Sequence, residues 1–216
     1  MKMPEPYRKA DQCLKNLTLL ILQRSNKVKR NLNSLNFDEL NVMKMIDVLY
    51  EQIERDCRQA FMTLYEGRYD ELLAWLKGEE PDEDKLDELV EMYFAGLFDE
   101  PHPVTNYAFD PETKRKRDRA KEAILSVPTK AQKQITMDKH IRFQLQQIGW
   151  YVDFVSQDAE IQVYKDAGIK KVQRHEMMDD RTCTTCSQLD GKVYDINKIP
   201  PLEHLRCRRW FSPYNK

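Results

Sequence analysis

The sequence predicts a mainly α protein: a helical N-terminal body, then a small C-terminal α+β module, a β-hairpin stapled by a zinc ion on three Cys and one His. Three observations carry this. Apolar residues recur at three- and four-residue steps along most of the chain. Only 6 Gly stand in 216 residues, too few for the many turns of a sandwich or barrel. After Gly168 the period changes, and β-type segments surround two tight pairs of Cys and His.

The first helix is expected from about residue 7 to 35, with Leu14, Leu17, Leu20, Ile21 and Val28 near helical spacing. Asn36 and Glu39 match the N-cap and N3 positions of a capping box. From there Leu40, Met43, Ile46, Leu49, Ile53, Cys57, Phe61 and Leu64 form a second stripe that runs on to Trp75 and Leu76, where Gly78 stops it. Gly67 is the place for a bend or a split. Residues 79–100 hold ten acids against one Lys. There Pro81 and Asp82 suit a helix entry, and Leu86, Leu89, Val90, Tyr93, Phe94 and Leu97 give one apolar face. The stretch 101–121, rich in Pro and turn formers, is the best linker candidate.

Past Pro128, the residues Ile141, Leu145, Ile148, Val152 and Val155 predict another helix, and a short one from about 158 to 167 ends at Gly168. The expected division is therefore a body at 1–157 and a module at 158–216. Within the module, Ile169 and Val172 through Met177 read as a strand. Asp190 and Gly191 read as a two-residue hairpin turn, and Lys192, Val193 and Tyr194 as the returning strand.

Charged residues make up 33% of the chain and the net charge is −1, so the chain as a whole is no polyanion binder. No run of ~18 apolar residues predicts a membrane span, and the opening MKMPEPYRKADQ lacks the apolar stretch of a secretory signal. Five Cys is an odd number without the spacing of a disulfide scaffold, which points to a reducing cytoplasm.

Cys183 and Cys186 form a C-x2-C pair, and His204 and Cys207 an H-x2-C pair, with seventeen residues between Cys186 and His204. Two tight turns can aim three sulfurs and one imidazole at a single point, a ligand set that tetrahedral zinc accepts. Four protein ligands leave no open position, so the expected role is structural. The alternatives are incidental reduced thiols, which predict no pairing, and a Cys183–Cys186 disulfide, for which no thioredoxin-like setting is visible. Around the pairs, Gly191 and Asp190 supply turn conformations, Pro200 and Pro201 stiffen the return toward His204, and Asp179 or Asp180 can accept N–H groups of the Cys183 turn.

The same residues resemble the C-terminal domain of phage minor head proteins, the Mu F-like or phage head morphogenesis family. The resemblance runs through Asp179, Asp180, Arg181, Thr182, Cys183 and Cys186. It continues with Leu189, Asp190, Gly191, Lys192, Val193 and Tyr194, and ends with Pro200, Pro201, His204, Cys207 and Arg208. It covers about 45 residues. Glu203 adds one residue before His204, and Arg209 stands where many members carry another Cys. The resemblance implies a low-copy component of a phage or prophage head, with the portal and other head proteins as partners. It also implies residence in the virion and, during assembly, in the host cytoplasm. No membrane partner, small-molecule substrate or catalysis is expected.

Lys114, Arg115, Lys116, Arg117 and Arg119, with Arg208 and Arg209, are the candidate contacts to DNA or a partner. They also motivate a second reading, a zinc-stapled nucleic-acid-binding protein without a virion role. His102, His140 and His175 stand apart from any recognisable catalytic set, and Cys13 and Cys57 fall on helical stripes as small core residues.

Overall fold

The computed structural model describes residues 3–34, 38–79, 109–180, 182–204 and 207–214. Four long helices make the body: α1 (Arg8–Ser34), α2 (Glu39–Lys77), α3 (Phe109–Ser126) and α4 (Lys130–Asp166). The module follows with β1 (Lys171–Glu176), the one-turn α5 (Thr184–Ser187), β2 (Val193–Asp195) and β3 (Arg209–Pro213).

Helix α2 and helix α4 form the central pair, with α1 and α3 each packed against both. The stripe predicted for α2 is the one that is buried: Ile46, Leu49, Ile53, Cys57 and Phe61 are nearly inaccessible. They meet Leu17 and Ile21 of α1, Ile124 of α3, and Ile141, Ile148, Val152 and Val155 of α4. The cap of α2 is Asp38, whose carboxylate accepts the Leu40 N–H, so the helix starts two residues later than Asn36 would place it. Asn36 itself lies outside the described residues, as does most of the acidic 79–100 segment. Gly67 does not split α2, whose run ends at Gly78 with φ 74°, a left-handed conformation that lacks a Cβ penalty only in Gly.

Two further expectations are corrected. Residues 109–121 of the expected linker are helical, because Thr113, Ala120 and Ile124 present a buried face to the body. Helix α4 also runs unbroken through the expected boundary at 157/158, starting at a capping box in which Thr129 and Gln132 satisfy each other's backbone N–H. Its buried face is continuous through Ala159, Val163 and Tyr164, so no break arises.

The sheet has strand order β2-β1-β3, both pairings antiparallel. Strand β3 was not read from the sequence. Asp190 and Gly191 do stand at the centre of a turn, closed by the Lys192 N–H on the Leu189 carbonyl, but this turn does not by itself join β1 to β2. Gly191, with φ 76°, donates its N–H to the Arg174 carbonyl, and the Asp190 carboxylate accepts the Glu176 N–H. These bonds hold the turn against the end of β1, and the connection from β1 to β2 also contains α5.

A second apolar cluster fastens the sheet to the body: Leu72 of α2, Val163 and Tyr164 of α4, and Val172, Ile196 and Phe211 of the module. Polar bonds reinforce it. Tyr164 donates its hydroxyl to the Phe211 carbonyl at 2.9 Å, and Tyr7 donates to the Arg209 carbonyl at 2.6 Å. No helix among the described residues is long and apolar enough to cross a membrane.

Candidate metal centre

The C-x2-C pair sits on α5. Cys183 is its N-cap, in an extended conformation, and its sulfur accepts the Cys186 N–H at 3.4 Å. One helical turn therefore brings both sulfurs to the same side. A second tight turn, closed by the Cys207 N–H on the His204 carbonyl, presents the other pair.

The two turns meet. The His204 Nε2 lies 3.3 Å from the Cys183 sulfur and 3.1 Å from that of Cys186, and Cys186 lies 3.6 Å from Cys207. Cys183, Cys186 and His204 form one compact group, and Cys207 joins through Cys186, with Glu176 beside both. These four residues lie close together and could hold a metal ion. Cys186 and Cys207 are buried, while His204 is exposed.

The protonation states are consistent with that use. The Cys183 thiol is pulled below its ordinary value, chiefly by the Cys186 backbone N–H. Burial pushes Cys186 and Cys207 up. Without an ion these buried thiols keep their protons, and a bound cation displaces them.

Sequence reasoning missed the charged residues that surround the sulfurs. Arg174 is wholly buried on β1, its Nε 2.6 Å from the Glu176 carboxylate. Its two terminal nitrogens donate to Glu203 at 2.5 and 3.0 Å. Arg209 donates to Glu203, to the Gln157 side-chain oxygen, and to the Pro200 and Pro201 carbonyls. Burial pushes Glu203 upward, but the Arg174 hydrogen bonds and the Arg209 charge outweigh it and hold the carboxylate below its usual range. An alternation signal existed: Val172, Arg174 and Glu176 share one face of β1, and that face turns inward.

Pro200 and Pro201 do lead into the His204 turn, and their carbonyls anchor Arg209. The Asx role falls to Asp179, which accepts the Thr182 hydroxyl and the Arg208 guanidinium; Asp180 is exposed. Arg209 is corrected as a DNA contact, because its side chain is 2% exposed and fully engaged. Arg208 is corrected likewise: it lies over the Tyr7 ring and pairs with Asp179 and Asp11. On α3, Lys114, Arg115 and Arg119 are exposed, with Arg115 paired to Glu112. Arg117 is tied to Asp47 of α2, and Lys116 donates to the Phe143 carbonyl of α4.

Comparison with family models, with curated proteins and with solved structures finds no match.

Proposed function

We propose that this chain is a minor head protein of a phage or prophage. It would act in head morphogenesis by contacting the portal, the procapsid or packaged DNA, with a structural zinc ion in its tail. The observation that carries the reading is the joining of the C-x2-C and H-x2-C pairs, in the motif order that resembles the Mu F-like domain. Zinc bonds of about 2.3 Å to sulfur and 2.0–2.1 Å to nitrogen put tetrahedral ligand atoms roughly 3.5–3.8 Å apart. The three separations of 3.1–3.6 Å, between His204 and each of Cys183 and Cys186 and between Cys186 and Cys207, fit that spacing after a slight expansion; Cys207, grouped with Cys186 and not with Cys183 and His204, would draw in to complete the set. Zinc suits a set of three thiolates and one imidazole, whereas magnesium and calcium favour oxygen.

With four protein ligands the ion has no open position, which supports a stapling role and no catalysis. Residues 171–213 form a three-stranded sheet with short strands, and so small a unit buries too little apolar area to hold itself together. The ion and the docking against α2 and α4 supply the rest.

The test is mass spectrometry of purified heads and procapsids from the source phage or prophage. The chain is expected at low copy; its absence from both contradicts the proposal. The second reading, a zinc-stapled nucleic-acid binder without a virion role, is left with Lys114, Arg115 and Arg119 as its exposed cations. Tight binding with a steep salt slope, in gel shifts without other head proteins, would favour it.

A further inference from the structure

We infer that Glu203 is the positioning residue of the metal centre: its carboxylate holds the His204–Cys207 turn in ligating geometry by clamping it to β1 and β3. The inference rests on the four-residue cluster holding a metal ion, and not on a virion role.

The geometry is one-sided. The Cys183–Cys186 half of the site is formed locally, by one helical turn whose first sulfur accepts the N–H of the second Cys. Among the described residues, no helix or strand carries the His204–Cys207 half, which lies between β2 and β3. What fixes it is Glu203, the residue immediately before His204. Its two oxygens receive a forked pair of bonds from Arg174 at 2.5 and 3.0 Å, and two longer ones from Arg209 at 3.3 and 3.4 Å. Both guanidinium groups are themselves held. Arg174 is bound to Glu176 on its own strand, and Arg209 to Gln157 of α4 and to the two proline carbonyls. A forked Arg–carboxylate contact fixes orientation as well as distance. The chain is thus pinned at 203, one residue before one ligand and four before the other.

The carboxylate also touches the ligand set. The Cys207 thiol lies 3.4 Å from a Glu203 oxygen, and an Arg174 nitrogen lies 4.0 Å from the same sulfur. As a thiolate ligand, Cys207 would stand as a negative charge beside Glu203. Arg174, 4.0 Å from that sulfur, and Arg209, bonded to Glu203, would offset that charge, which makes the two arginines and Glu203 one unit around Cys207. Partners of this kind, which orient ligands without touching the ion, typically contribute 10–100-fold to metal affinity.

The experiment is a cobalt(II) titration of the full chain under reducing conditions, followed through the thiolate-to-cobalt charge-transfer band. Wild-type protein, Glu203→Ala, Glu203→Gln and Cys207→Ser are compared. Glu203→Ala is expected to bind cobalt about 10–100-fold more weakly, with its band reduced toward that of the Cys207→Ser reference, which has lost one thiolate. Glu203→Gln keeps an acceptor oxygen and is expected to fall between wild type and Glu203→Ala. It remains the informative variant should Glu203→Ala not fold. Wild-type affinity in both Glu203 variants overturns the inference. So does weaker binding with a full three-thiolate band, because the turn would then stay in place without its clamp. If wild-type protein itself shows no charge-transfer band, the metal reading fails and the inference falls with it.

Discussion

Glu160 is a carboxylate with almost no access to solvent, set where α4, α2 and β3 meet. It accepts a bond from Arg68 at 3.2 Å and the Phe211 N–H at 3.2 Å, while Arg68 also pairs with Glu71, which Arg8 reaches from α1. Burial raises its pKa from 4.5 to about 7, against the opposing pull of Arg68 and the Phe211 N–H. The folded chain therefore holds a proton that the unfolded chain has released between these two values. Stability from this group is fully present below about 4.5, falls as pH rises through that window, and is level above about 7. In Glu160→Gln the group cannot titrate. The melting temperature of wild type relative to Glu160→Gln is expected to decline from pH 5 to pH 7. A difference that is flat or rises over that range contradicts the burial argument. A buried charge network of this kind is weak evidence for stability by itself, because desolvation opposes the pairing. Here it positions Phe211 and with it β3.

Helices were legible as elements because their signal is local and repeated. The stripe from Ile46 to Leu64 in α2 needs no partner to be read, and it is the stripe that packs. The signals that misled were those that tertiary packing overrides. Residues 109–121 look like a linker, yet Thr113 and Ala120 are buried and the segment is helical. The Asp190–Gly191 pair does form a turn, yet it does not by itself join β1 to β2, because α5 and its flanking residues also lie between the two strands. Strand β3 was invisible because it alternates a buried Arg209 with a half-buried Trp210, and a buried Arg breaks the apolar pattern by which strands are recognised. The three sulfurs and one imidazole that could hold an ion were legible as a cluster because their spacing is chemical. Their clamp was not, since Arg174, Glu203 and Arg209 are charged residues whose partners lie in other elements. At this scale Thr129 offers a clean test. Its side chain caps α4 reciprocally with Gln132 and touches nothing of the site. Thr129→Ala is expected to lower unfolding free energy by about 1 kcal/mol in urea denaturation without altering metal affinity. A loss of metal affinity would mean that the far end of α4 controls the module.

The whole molecule is built so that its tail cannot be separated cleanly from its body. The last turns of α4 supply Gln157, Glu160, Val163 and Tyr164 to the module, and the N-terminal end of α1 reaches it through Tyr7 and Asp11. The body thus provides the base on which β1 and β3 lie. The far side of the module, from Thr182 to Leu189, has one short helix and the two sulfurs of Cys183 and Cys186. It is this part that would depend most on a bound ion, because no buried ion pair joins it to the sheet among the described residues. Metal content and backbone amide exchange, measured on protein prepared under reducing conditions before and after chelation, test this most directly. The account predicts about one zinc ion per chain, a lower melting temperature after chelation, and loss of amide protection across 182–189 while α2 and α4 keep theirs. Protein that carries no metal, or that melts and exchanges identically with and without the chelator, contradicts it.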